Sequence, residues 1–225
     1  MMQTTFRRLE EAGACKERYL FLAKNLGGIK KYGKDTPITL KQILDINGLD
    51  DALWALRACN DAEKFSRLLA CDYAERVLSI WEAQYPEDDR PRKAIEVSRK
   101  YAMGEATEED LYVARIVARD AACAAWHAFA RIVARDAACA AWHAFTVTTE
   151  GATRTAEHAA NAARDAVDHA PKYAARDAGW AVYTAAVEGA TPAAEHIADA
   201  AYAAWNAERT WQEARLRELL ERGQE

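Results

Sequence analysis

Between Gly104 and Gly151 the chain contains neither glycine nor proline, and all 225 residues include only ten glycines and five prolines. Chain breakers this sparse exclude an all-β chain of short strands, whose turn signals recur every ~8–12 residues. Strand patterning is scarce too: ITLKQI (Ile38–Ile43) is the best candidate, and its flanking caps favour helix. The five cysteines, Cys15, Cys59, Cys71, Cys123 and Cys139, form no C-x-x-C pair and are odd in number. That excludes a secreted disulfide framework and makes a reducing cytoplasm the expected location. No run approaches the ~20 apolar residues of a membrane span, so no membrane partner is expected. Charges interrupt the apolar residues of MMQTTFRRLEEAGACKERYLFL, which is not read as a secretory signal. Charge of one sign is also lacking: 30 Lys and Arg face 35 Asp and Glu, a net −5 that weighs against a generic nucleic-acid binder.

What is present is apolar for 51% of residues, much of it alanine, with seven Trp and nine Tyr distributed through it. Alanine buries little area, so the aromatic residues must supply core volume. The chain reads as all-α. A short helix runs from about Thr5 to Gly13 and another from Ala14 to Leu26, ended by Gly27-Gly28. IKKYGKDTP reads as a polar loop; with Lys30, Lys31 and Lys34 it is basic, but it lacks phosphate-loop spacing. Thr39 caps a helix through Ile46, and Asp50 or Asp51 caps ALWALRAC. Phe65, Leu68, Leu69, Tyr73, Val77, Ile80 and Trp81 recur at helical spacing over Asp61–Gln84. Pro91 belongs in the first turn of a helix that reaches Met103 and stops at Gly104, and Thr107-Glu-Glu-Asp110 resembles a capping box.

Beyond residue 107 the chain repeats itself. ARIVARDAACAAWHAF occupies Ala114–Phe129 and recurs unchanged as Ala130–Phe145. A weaker repeat aligns Cys139–Thr153 with Asp177–Thr191, matching Trp142 to Trp180 and Phe145 to Tyr183, and continues to His158 and His196. Such a period is the mark of helical hairpins stacked in an array. The shared Glu-Gly-Ala-Thr makes a short turn, so helices are expected over about 154–168, 172–188 and 192–222, antiparallel to their neighbours. The predicted architecture is antiparallel helical hairpins with alanine-rich C-terminal helices and one long helix around 107–150. An N-terminal part is expected over 1–106 and a repeat part over 107–225. A continuous 107–150 helix would be about 65 Å long. Sixteen residues leave the two copies nearly opposite on a straight helix. A fold-back near Phe129-Ala-Arg131 is the alternative, although alanine and arginine favour helix there.

No catalytic residues and no cofactor are predicted. Cys123 and His127 share a helical face, repeated by Cys139 and His143; two thiolates and two imidazoles are a zinc ligand set. Only a fold-back or a symmetric homodimer would unite them, and the plain reading is a buried cysteine beside a half-exposed histidine. Asp120, Asp136, Asp165 and Asp177, each after an arginine, read as a solvated charged stripe. Trp54, Trp81, Trp126 and Trp142 are core residues first and lining of an aromatic groove second. Tyr85–Lys93 is the most individual stretch; Asp88, Asp89, Arg90, Arg92 and Lys93 crowd opposite charges around two prolines, the best candidate for an electrostatic docking epitope.

LDDALWALRAC, then ACDYAERVLSIWEAQYPEDDRPRKAIEVSRKYAMGEAT, and finally AERTWQEARLRELL resemble an alanine-rich all-helical family of phages and bacteria, the immunity-protein-5-like proteins. The likeness is most specific over Leu49–Thr107. It implies a non-enzymatic protein whose partner is a toxin or host factor, and it brings no catalytic residues. Two other classes compete: a small-molecule binder or enzyme with an aromatic-lined groove, and a nucleic-acid-binding helical solenoid.

Overall fold

A computed structural model describes residues 1–121, 158, 161–162, 171–188 and 197–222. Among the described residues the regular structure is helical apart from one two-stranded sheet, and the fold is all-α. The chain divides into two compact units, Met1–Ser66 with Glu213–Glu225, and Arg67–Gln212.

In the first unit, strand β1 (Gln3–Thr4) pairs antiparallel with β2 (Ile38–Thr39). ITLKQI is thus split: two residues extend, and Thr39 then starts a helix. The Thr39 hydroxyl accepts from the Gln42 N–H at 3.1 Å, and the Gln42 carboxamide accepts from the Thr39 N–H at 2.8 Å. That reciprocal box outweighs further pairing. Helices α1 (Phe6–Glu11) and α2 (Lys16–Asn25) lie where expected. IKKYGKDTP is not all loop: Ile29–Tyr32 forms one helical turn, α3. The Tyr32 ring holds it, edge-on to the buried Phe6 at 5.9 Å. Gly33 closes the turn at φ +98, where a Cβ would meet the Thr36 hydroxyl at 2.5 Å.

Helices α4 (Leu40–Asn47) and α5 (Leu49–Ala55) follow, with a 3₁₀ turn over Leu56–Ala58. Gly48, rather than an aspartate, occupies the cap of α5. Asp50 and Asp51 lie in its first turn, where the helix dipole favours acid, and Asp51 accepts from Arg18 at 2.6 Å and Asn47 at 2.8 Å. The C-terminal segment contributes buried Leu216 and Leu220, and Arg217 reaches both Asp45 and Glu213.

The second unit takes most of α6 (Ala62–Gln84), α7 (Arg90–Met103), a helix over 108–121 (α8), α9 (Pro171–Glu188) and most of α10 (Ile197–Arg222). The predicted limits of α6 and α7 hold, with Pro91 in the first turn of α7 and Gly104 its left-handed cap. Thr107 and Asp110 close the expected box at the start of α8. Tyr73, Val77 and Trp81 are buried along α6. Ala94 of α7 packs with Ala114 and Ala118 of α8. On α9, Ala175, Ala178 and Ala181 are buried, and Gly179 lies under the indole of Trp205 from α10.

Neighbouring helices run antiparallel, as predicted. Between α6 and α7, Glu82 meets Arg92 and Glu75 meets Arg99. Between α9 and α10, Ala175 meets Gln212 and Tyr183 meets Tyr202. His158 and residues 161–162 are helical, within the helix expected over 154–168. The rod-or-fold-back question for 107–150, the Glu-Gly-Ala-Thr turns, Asp136, Asp165 and His196 lie outside the described residues.

A Cβ at Gly179 would approach three ring atoms of Trp205 at 2.7–3.1 Å. Gly179→Val gains a few tenths of a kcal/mol in helix propensity but overpacks this contact at ~1–3 kcal/mol. A net loss of about 1–2 kcal/mol is expected, read as a fall of several degrees in Tm.

Candidate functional site

The stretch singled out for its charges forms the corner between α6 and α7. The Trp81 indole N–H donates to the Asp88 carbonyl at 2.7 Å, fixing the turn from inside. Asp88 accepts from the Arg90 guanidinium at 2.8 and 2.5 Å, and Arg90 holds its carboxyl below the ordinary carboxylate range. Lys93 pairs with Asp89 at 2.8 Å, one turn away, and Arg92 with Glu82 at 2.5 Å. The five residues are therefore together, with Asp89 and Lys93 the most open: their side chains are 57% and 66% exposed. An exposed pair of this kind contributes little to stability, which leaves both charges free to re-pair with another surface.

From this corner a ladder of ion pairs runs along α6 and α7. Arg92 meets Glu82, and one heptad on, Arg99 meets Glu75 at 2.5 Å and Asp72 at 2.7 Å. The carboxylates all come from α6 and the guanidiniums from α7. Beneath the ladder the Arg67 guanidinium, buried, lies 4.8 Å from the Tyr101 ring centre. The Cys71 Sγ faces the Ile95 carbonyl, and burial pushes this thiol up to about 11. It is a packing residue rather than a nucleophile.

A second polar cluster joins α6, α9 and α10. Gln212, fully buried, donates its amide to the Ala175 carbonyl at 2.9 Å and to Glu208 at 3.1 Å. Its own backbone carbonyl accepts from the Tyr73 hydroxyl at 3.0 Å. The Arg76 guanidinium lies 3.4 Å from Glu208 and 4.9 Å over the Trp211 ring. Burial drives the Glu208 carboxyl above its ordinary range, opposed by Gln212 and Arg76. Sequence reasoning missed this network, although AERTWQEARLRELL contains three of its members. Glu208, Trp211 and Gln212 at spacings of three and four look like the usual alternation of a surface helix.

Aromatic rings gather on α9 and α10. Trp180 packs edge-on with Tyr183 and with Trp205, each at 5.3 Å, and Tyr183 with Tyr202 at 5.7 Å. Of the four groove candidates, Trp81 is core, and Trp54, half-buried, has Arg57 stacked on it at 5.1 Å. Trp126, Trp142 and the Cys123, His127, Cys139, His143 set lie outside the described residues. Among the described residues no group of three His, Cys, Asp or Glu is placed to hold a metal ion. No described helix is long and apolar enough to cross a membrane. The charged stripe is not uniformly solvated: Asp120 is exposed, whereas Asp177 is buried and accepts from Arg176 at 3.1 Å. It lies among the inward alanines of α9, so the helix's packed face carries it out of water.

Residues 66–146 match the family model described as "Imm-5 like putative immunity protein". The segment contains the 85–93 corner and the ion-pair ladder, so the resemblance read from the sequence holds over it. No curated protein and no solved structure matches the chain.

The Glu208 carboxyl sets a pH dependence. Its folded pKa is raised above the unfolded one, so the native state binds the proton more tightly. The contribution to stability is full below the unfolded value and is lost as pH rises through the folded value. Glu208→Gln has no proton to lose over this range. The depressed carboxylates, such as Asp35 and Asp45, act alike in both proteins, so urea melts should show the unfolding free energy of the parent falling relative to that of the variant between about pH 4 and about pH 7. Parallel pH profiles would refute the assignment.

Proposed function

We propose that this chain is a non-enzymatic protein-binding module of the immunity type, which binds and neutralises a toxin or host factor. The observation that carries the reading is the family match over residues 66–146. The corner within that segment supports it, because Asp88, Asp89, Arg90, Arg92 and Lys93 form an ordered turn held by the Trp81–Asp88 bond. Its backbone is fixed before any partner arrives, so the ordering cost of binding is confined to side chains. The outer charges, Asp89 and Lys93, are the ones available for steering a partner.

Affinity capture with the full chain from a host lysate tests the function. A protein partner retained at one-to-one stoichiometry is the expected result, and the absence of any such partner overturns it. The epitope is tested on the isolated complex with two opposite charge reversals, Asp89→Lys and Lys93→Glu. Charges at an interface rim act mainly on the association rate. The two variants are expected to change that rate severalfold in opposite directions and to alter its salt dependence, with little effect on Tm. Parent-like rates for both would remove this corner from the interface.

A further inference from the structure

The other end of α7 carries a surface of different chemistry. Helix α8 packs inward on alanine: Ala114, Ala118 and Ala121 are buried, with Leu111 against the same cluster. Two of its large apolar residues are instead exposed. Tyr112 is 57% exposed and Val113 49%, and Met103, the last residue of α7, is 55% exposed across the connecting turn. Single exposed apolar residues are ordinary; here three flank one short connection in the chain. Carboxylates frame them. Glu105, Glu108 and Glu109 are exposed and, with the capping Asp110, make four acids in residues 101–114, a stretch without lysine or arginine. The flanking cations are Lys100 before it and, further along α8, the exposed Arg115 and Arg119. Glu109 shares a helix face with Tyr112 and Val113, three and four residues on.

Acids in the first turn of α8 favour its dipole, and the Asp110 carboxylate accepts from the Thr107 N–H at 2.8 Å. That accounts for acids at 108–110 as helix starters. It does not account for two large apolar side chains left exposed while alanine is buried. The two features together fit one occupant. We propose that this corner docks a basic protein surface, whose lysines or arginines meet Glu105, Glu108 and Glu109 while an apolar side chain seats against Tyr112 and Val113. The inference rests on the protein-binding reading above and supplies the chemistry of the partner.

The test uses the full chain against a phage-displayed library of random peptides, selected in parallel on the parent, on Tyr112→Asp and on Glu105→Gln/Glu109→Gln. All three positions are exposed, so circular dichroism melts should superimpose and exclude unfolding. The expected result is a set of peptides combining Lys or Arg with an aromatic or leucine, whose binding falls at least tenfold on both variants. Enrichment that ignores both variants overturns the proposal, as does enrichment of neutral or acidic peptides. So does concentration-dependent self-association abolished by Tyr112→Asp, which would make a second copy of the chain the occupant. A partner captured from lysate that binds the parent and both variants alike sinks this inference while leaving the immunity reading intact. Failure to capture any partner strikes that reading itself.

Discussion

In the second unit the helices meet on alanine, and that contact constrains the rest of it. Ala94 packs against Ala114 and Ala118, and Ala175, Ala178 and Ala181 of α9 are buried; side chains this small permit backbones to approach toward the short end of the ~8–10 Å interhelical range. A methyl group removes little apolar area from water, so such contacts hold weakly for their length. The deficit is offset by larger side chains at a few points. Trp205 lies in the notch left by Gly179, and Trp81 and Tyr73 fill the space along α6. Each of the two α6 aromatics also uses its polar end, Trp81 on the Asp88 carbonyl and Tyr73 on the Gln212 carbonyl, so burial of the ring leaves no donor unsatisfied.

The same constraint shapes the surface. Helices that bury their alanines leave some of their large residues outside, and Tyr112, Val113, Trp180 and Tyr202 are all exposed. Charged residues then set the pairing of α6 with α7. The heptad-spaced pairs Glu82–Arg92 and Glu75–Arg99 fix one antiparallel register, because a slip of one turn would bring Arg92 or Arg99 opposite a residue of the wrong charge or none. Half-exposed pairs contribute modestly to stability, so their effect is on register more than on free energy. Glu208 and Gln212 do the corresponding work between α6, α9 and α10, at the cost of a carboxyl held out of water.

These arrangements bear on the functional reading. The segment that matches the immunity family is the one in which an ordered, ion-paired corner begins α7 and an acid-framed apolar turn ends it. A protein-binding role needs preformed surfaces: the start of α7 offers exposed ion-paired charges, and the turn after it offers exposed apolar side chains. The thiols of Cys59 and Cys71 are each pushed up to about 11 by burial, which leaves them as packing groups.

Local chemistry was legible in the sequence because it acts over three or four residues. Thr39 with Gln42, Thr107 with Asp110, Pro91 in a first turn and Gly104 past a last one set the helix starts and stops as read. The apolar spacing of α6 likewise placed Tyr73, Val77 and Trp81 inside. Where a local rule had two solutions, the reading missed: Gly48 rather than an aspartate caps α5, and the anchored Tyr32 turned a polar stretch into α3. What crosses between helices was decided only by tertiary structure. Nothing near Glu208 in the chain announces Arg76, nothing near Asp177 announces its burial, and nothing near Glu82 announces Arg92. The physical reason is that periodicity states which face of a helix is buried, whereas the partner of a polar group depends on which helix the chain brings against that face.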